Sequence, residues 1–183
     1  MLIRHADPAA DATACAAIYA PSVIEGVASL EERAPSPEEM AARIETTSAS
    51  YPWLIAEREG EPAGYTYATE HRSRSAYRWS ADTTVYVSTR HQRQGVGRAL
   101  YEALFELLTA QGLYTACAGI TLPNDASVGL HEALGFEPVG VYRAVGYKHG
   151  QWRSVGWWQA QLRESRAGVT PVEPGPPPRL NAQ

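Results

Sequence analysis

The sequence predicts a mixed α/β domain, a central sheet with helices packed around it, on three observations. Apolar or aromatic segments at Trp53–Ala56, Ala63–Ala68, Thr83–Val87 and Thr115–Ile120 have strand composition. Among them, Val96, Leu100, Leu104, Leu107 and Leu108 recur at helical spacing, and Gly112 supplies a stop just beyond. The 183 residues fit one domain, since a chain of that length buries roughly two-thirds of its unfolded surface.

Taken in order, Leu2–Arg4 reads as a short edge strand. Asp7-Pro8 supplies a helix N-cap and a proline at the first helical position, opening an alanine-rich helix to about Ala20. Ser36-Pro37-Glu38-Glu39 has the Ser/Glu spacing of a capping box and starts a second helix to about Thr47. Gly60-Glu61 marks a turn between two strands. Asp125–Leu134 reads as a helix closed by Gly135, and Glu137–Tyr147 and Trp152–Leu162 as two final strands. The domain spans residues 2–162. Residues 163–183 form a tail whose prolines at 171, 174, 176, 177 and 178 exclude a helix or central strand, so it is expected to be extended and draped over the domain.

Composition narrows the function. A formal net charge of −4 argues against a general nucleic-acid or membrane-surface binder, which needs a broad cationic face. Cys15 and Cys117 stand far apart without metal-ligand spacing, so neither a disulfide framework nor a metal site is expected, and a reducing cytoplasm fits. The N-terminal stretch lacks a signal-peptide apolar core, and no apolar run approaches the roughly 20 residues of a membrane span.

The most informative segment runs from Val85-Tyr86-Val87 through Arg90-His91-Gln92-Arg93-Gln94-Gly95-Val96-Gly97-Arg98, a strand, a polar turn and then the strong helix. A turn into a helix N-terminus presents unpaired N–H groups, glycine lets a phosphate approach them, and the helix dipole attracts an anion. Arg93 and Arg98 add charge. A bare Gly-x-Gly also serves as nothing more than a tight turn. The segment matches neither GxxxxGK[ST] nor GxGxxG, since Ala99 and Leu100 follow Arg98.

The segment resembles the pyrophosphate signature of the GNAT N-acetyltransferases: Arg or Gln, two residues, Gly, one residue, then Gly or Ala. Gln92, Gly95 and Gly97 match it. The resemblance implies the GNAT acyl-CoA N-acyltransferase fold and acetyl-CoA as cosubstrate. It assigns the main chain of Val85, Tyr86 and Val87 to the pantetheine arm, and Gln92, Arg93, Gln94, Gly95, Val96, Gly97 and Arg98 to the pyrophosphate. A second matching block runs from Pro123 to Phe136, in which Asn124, Ser127 and His131 fall at helical offsets on one face. The resemblance gives Asn124 and Ser127 to the cofactor arm and sets His131 where many relatives carry a tyrosine proposed to protonate the CoA thiolate. A buried structural histidine is the competing view.

Whole blocks, Tyr51-Pro52-Trp53-Leu54, Leu122-Pro123-Asn124-Asp125, His131–Gly135 and Gly146-Tyr147-Lys148-His149-Gly150, resemble the phosphinothricin acetyltransferase group and relatives acting on methionine sulfone and methionine sulfoximine. That group implies direct transfer to a primary amine in a ternary complex, without a metal, and commonly a homodimer. Asp82 stands where relatives carry the proposed general-base glutamate, one methylene shorter here; it also suits a strand-end cap. Arg72, Arg74 and Tyr77 are implied in acceptor binding, because an arginine fork pairs with a carboxylate or phosphinate. A solvated basic loop is the alternative. Leu30 and Glu31 replace an aromatic and a basic residue of the herbicide-resistance enzymes, which leaves another small amine, or a protein N-terminus, as acceptor. An acyl-CoA-binding protein without turnover is the non-enzymatic alternative.

Overall fold

A computed structural model describes residues 1–180, so the last three residues of the expected tail lie outside it. The elements follow the order β1 (Leu2–His5), α1 (Pro8–Ile24), α2 (Pro37–Ser48), β2 (Trp53–Arg58), β3 (Glu61–Glu70), β4 (Ser80–Val87), α3 (Val96–Gln111), β5 (Thr115–Leu122), α4 (Asp125–Glu132), β6 (Glu137–Lys148) and β7 (Gln151–Gln161). Seven strands form one mixed sheet in the order β1-β2-β3-β4-β5-β7-β6, with β4–β5 the parallel pair.

Both N-terminal helices start as their sequences dictate. The Asp7 side chain accepts from the Ala9 and Ala10 amides, and the reciprocal Ser36–Glu39 capping box is complete. α1 runs past its expected end near Ala20 and carries Pro21 inside it, because a proline removes one helical N–H donor without obliging the remaining turns to unwind. The hairpin turn falls one residue earlier than expected: Glu59 and Gly60 both have positive φ and Arg58 pairs with Glu61, the two-residue geometry that matches strand twist.

Side chains on β2 alternate between two cores, as a pleated strand requires. Trp53 and Ile55 join Cys15, Tyr19, Met40, Ile44 and Tyr65 beneath α1 and α2. Leu54 and Ala56 face the other way and join Leu100, Leu104 and Leu108 of α3 with Ala116, Ala118 and Trp158. Arg4 ties β1 to both neighbours, pairing with buried Asp11 on α1 and with Glu57 on β2. Both cysteines are free and buried. Among the described residues no helix is long and apolar enough to cross a membrane.

The described part of the tail has no helix or strand and lies across its own subunit. The Trp79 indole donates to the Val172 carbonyl, the Gly175 amide donates to the Gln111 carbonyl, and Leu180 packs against the α3-side core.

Candidate active site

Two strands that pair and then part create the site. β4 and β5 are in register only over Ser80–Asp82 against Thr115–Cys117. Beyond that point β5 follows β7 while β4 stays with β3, so the main-chain groups on the β5 side of β4 have no strand partner. A cavity of about 820 Å³ fills the gap, lined by Thr83–Val87 of β4, Ala118–Thr121 of β5, the turn into α3, and Asn124, Ser127 and His131 of α4.

The glycine turn sits at this cavity. Gly95 is the N-cap of α3 with φ 81°, and Arg93 also takes a positive φ, 57°. The Ala99 amide is the first in the helix to return to the Gly95 carbonyl, which leaves the Val96, Gly97 and Arg98 amides without helical partners. Gln92, Arg93, Gly95, Val96, Gly97 and Arg98 line the cavity; Gln94 does not. The Gln94 side chain donates to the Arg90 carbonyl and accepts from Arg58 instead. The two glycines differ: a Cβ on Gly95 would meet nothing within 4 Å, whereas one on Gly97 would lie 3.1 Å from Leu130 Cδ2. His91 also lines the cavity, and its buried Nδ1 has no partner among the described residues, a polar contact that the turn's sequence alone did not single out.

On α4, the Asn124 side chain is the N-cap, its oxygen accepting from the Ser127 amide at 3.1 Å. That leaves its amide donors available on the cavity wall. His131 is only 4% exposed. Its Nδ1 lies 2.7 Å from the Ser127 carbonyl oxygen, which can only accept, so Nδ1 carries a proton. In the neutral ring Nε2 is then the acceptor, taking the Tyr101 hydroxyl proton at 2.8 Å. Burial pushes the His131 pKa down from the usual 6.5, against the opposing pull of the Ser127 carbonyl.

The acceptor-side residues gather just past the end of the cavity. Asp82 immediately precedes the cavity-lining Thr83, and its Oδ1 is 2.6 Å from Nδ1 of His71. Burial raises the Asp82 carboxyl above the ordinary 3.8, while the His71 hydrogen bond works in the opposite direction. The His71 ring stands edge-on between Tyr77 and Trp157, with centroids at 5.9 and 6.1 Å, and the Arg72 guanidinium lies 5.6 Å over Trp157. Arg72 and Tyr77 are thus brought to Asp82. Arg74 is exposed, and its side chain joins none of these contacts. Buried Trp157 Nε1 has no partner among the described residues, leaving an indole donor on this side.

Sequence reasoning missed His71. It lies eleven positions before Asp82 in the chain, and only the β3–β4 register, which pairs Thr69 with Asp82, folds the next turn back over the carboxylate. Ligand-type atoms of His71, Asp82 and Cys117 lie within 4.8 Å of one another. Burial pushes the Cys117 thiol up to about 11, so the uncomplexed thiol is neutral near pH 7. Leu30 packs against Gly146, and Glu31 is taken up by the Tyr19 hydroxyl and a two-pronged bond from Arg43.

A parallel pair splayed over a glycine turn and a helix N-terminus, with a carboxylate at the fork, defines the acetyltransferase class of this fold. Residues 3–157 match the acetyltransferase (GNAT) domain, and the chain belongs to that family. It is 49% identical over 139 residues to a phosphinothricin N-acetyltransferase of Streptomyces viridochromogenes, covering 76% of this chain and 75% of that one. It is 34% identical over 168 residues to an L-methionine sulfoximine/L-methionine sulfone acetyltransferase of Salmonella typhimurium, covering 91% and 98%. A GNAT superfamily phosphinothricin acetyltransferase from Sinorhizobium meliloti, solved in complex with acetyl-CoA, superposes with a TM-score of 0.88 at 38% identity over 94% of this chain and 93% of that one.

Proposed function

We propose that this GNAT enzyme transfers acetyl from acetyl-CoA directly to the primary amine of phosphinothricin or a similar amino-acid analogue, in a ternary complex and without a metal. The observation that carries the reading is the meeting of two environments at β4: a long cavity beside a helix N-terminus, and, one residue beyond it, a carboxylate framed by an arginine and aromatic rings. The names of the relatives supply the acceptor class.

In this reading the amides of Val96, Gly97 and Arg98 and the side chains of Arg93 and Arg98 hold the pyrophosphate. The unpaired main chain of Val85–Val87 takes the amide-rich arm as an added strand, and Asn124 offers its side-chain donors to the same arm. Arg72, with Arg74 at the rim, pairs with the acceptor's anionic groups, and Tyr77 with Trp157 packs against its stem. Asp82 favours removal of the ammonium proton so that the nitrogen lone pair is free to attack. His131, on the cavity wall with Tyr101, protonates the departing thiolate, and for this Nε2 exchanges the bond it accepts from Tyr101 for a proton.

A different small amine as acceptor is the second reading, favoured by Leu30 and Glu31: an apolar side chain and a carboxylate already paired to Arg43 do not attract a second anion. Thiol release by purified enzyme with acetyl-CoA and phosphinothricin, methionine sulfoximine, methionine sulfone, a polyamine or a peptide decides between them. Release only with the last two overturns the first reading, and release with none overturns both.

A further inference from the structure

We propose that His71 and Asp82 work as a catalytic dyad in which Asp82 orients His71 and His71 Nε2 accepts the proton of the acceptor amine. The inference rests on the acetyl-transfer reading and adds to it a residue that stands outside both motifs of the fold.

Geometry carries it. Asp82 directs one oxygen to His71 Nδ1 at 2.6 Å. An ionised carboxylate is acceptor-only, so Nδ1 bears the proton and the lone pair of the neutral ring is left on Nε2. Among the described residues Nε2 has no hydrogen-bond partner. The side chain is 17% exposed, enough for a ligand to reach it, and the rings of Tyr77 and Trp157 hold it edge-on. A carboxylate that fixes the tautomer of an imidazole, whose far nitrogen meets the reacting group, is a recurrent way to build a base near neutral pH. Asp82 is shorter than glutamate by one methylene, and the imidazole extends its reach by a ring's width. The charged and titratable groups around the ring are Asp82 on β4, Cys117 on β5, the neighbouring Arg72 and Glu70, Tyr77, and Tyr51, which senses the Asp82 charge.

The proton count closes. The ammonium gives one proton to His71 Nε2, and the freed lone pair forms the N–C bond as the C–S bond breaks. The second nitrogen proton leaves to the sulfur, giving the N-acetyl product and free thiol, and His71 returns its proton to solvent.

His71→Asn keeps a donor for Asp82 but has no basic nitrogen, and His71→Ala opens room for added imidazole. We expect His71→Asn to bind acetyl-CoA within about twofold of wild type by calorimetry, to lose about 100-fold in kcat, and to lose the acid limb of kcat/KM. Imidazole restores His71→Ala by at least about tenfold, and His71→Asn/Asp82→Asn is no slower than the slower single variant by more than about threefold. A wild-type enzyme that turns over while His71→Asn keeps kcat within about threefold and an unchanged pH profile overturns the dyad and leaves the acetyl-transfer reading intact. Loss of activity in His71→Ala with no response to imidazole and an unaltered profile in His71→Asn assigns the ring to structure and also overturns it. A wild-type enzyme that releases no CoA with any amine overturns the underlying reading and the dyad together.

Discussion

A Cβ on Gly97 would lie 3.1 Å from Leu130 Cδ2, so α3 and α4 approach each other over a position where an added side chain obliges Leu130 to shift. Gly95, two residues earlier, faces open space at the cavity but holds φ 81°. The two glycines look interchangeable in the sequence pattern and are not. Gly97→Val is expected to overpack the α3–α4 contact and lower unfolding free energy by about 1–3 kcal/mol in urea titrations. Gly95→Val is expected to cost about 1–2 kcal/mol of backbone strain but to weaken acetyl-CoA binding at least about tenfold, because its side chain enters the anion's approach. Calorimetric affinity unchanged in a folded Gly95→Val protein would return that glycine to a turn-forming role.

Asp82→Asn is expected to lower kcat by about 100-fold or more while acetyl-CoA affinity stays within about threefold, since the amide cannot hold the charge that favours proton removal. The sign of the pH effect follows from burial. Because the Asp82 carboxyl titrates above its ordinary 3.8, it takes up a proton at a higher pH than a solvated aspartate. Below the limb set by His71, wild-type activity therefore has a further acid loss as Asp82 protonates, at a higher pH than a solvated aspartate would give, and the Asn variant lacks this second step. Full wild-type kcat in Asp82→Asn would remove the carboxylate from the reaction.

His131 gives a stability prediction. Its folded pKa lies below the unfolded 6.5, so between those values the unfolded chain holds the extra proton. Stability contributed by the neutral ring is complete above pH 6.5, falls as the pH drops through 6.5 toward the lowered folded value, and levels off beneath it. Each unit of depression corresponds to about 1.4 kcal/mol. Urea unfolding at several pH values should show a shallower acid loss in His131→Gln than in wild type; identical slopes would mean that the Ser127–His131–Tyr101 chain does not hold the ring neutral. The remaining slope in the variant belongs partly to His5, whose pKa burial also depresses.

Local chemistry made much of the fold legible. The Ser36 capping box, the Asp7 cap and the apolar periodicity of α3 depend on neighbours within a few residues, and each element starts where those residues say. α1 outruns its expected end near Ala20, because the single N–H lost at Pro21 is a weaker constraint than the packing of Tyr19 and Val23 on either side of it. The cavity turn was legible for the same local reason, but the Gln94 side chain was not: its partners Arg58 and Arg90 depend on where β2 ends. His71 required the β3–β4 register, and the buried Tyr101–His131 bond required α3 and α4 to be packed together. The missing information was non-local in both cases.

The three C-terminal tryptophans occupy three different environments. Trp158 is core, Trp157 sits beside His71, and Trp152 is 66% exposed. Val139, Val141, Tyr142, Val145 and Tyr147 of β6 are exposed with it, on a strand at the open edge of the sheet. Exposed apolar side chains along an open edge strand are costly to leave in water and are normally covered. A homodimer through β6 is therefore expected. The tail is not expected to hold it together, because the Trp79, Gln111 and Arg78 contacts of Val172, Gly175 and Glu173 are made within one subunit. Light scattering over a concentration series should give a dimer for the full chain and for a chain ending at Leu162, the latter less stable by about 2–3 kcal/mol for the lost hydrogen bonds and Leu180 burial. Val141→Lys with Trp152→Lys should shift the mass to a monomer. A full-length protein that stays monomeric at the highest concentration would remove the dimer, and dissociation on tail removal alone would move the interface from β6 to residues 163–180.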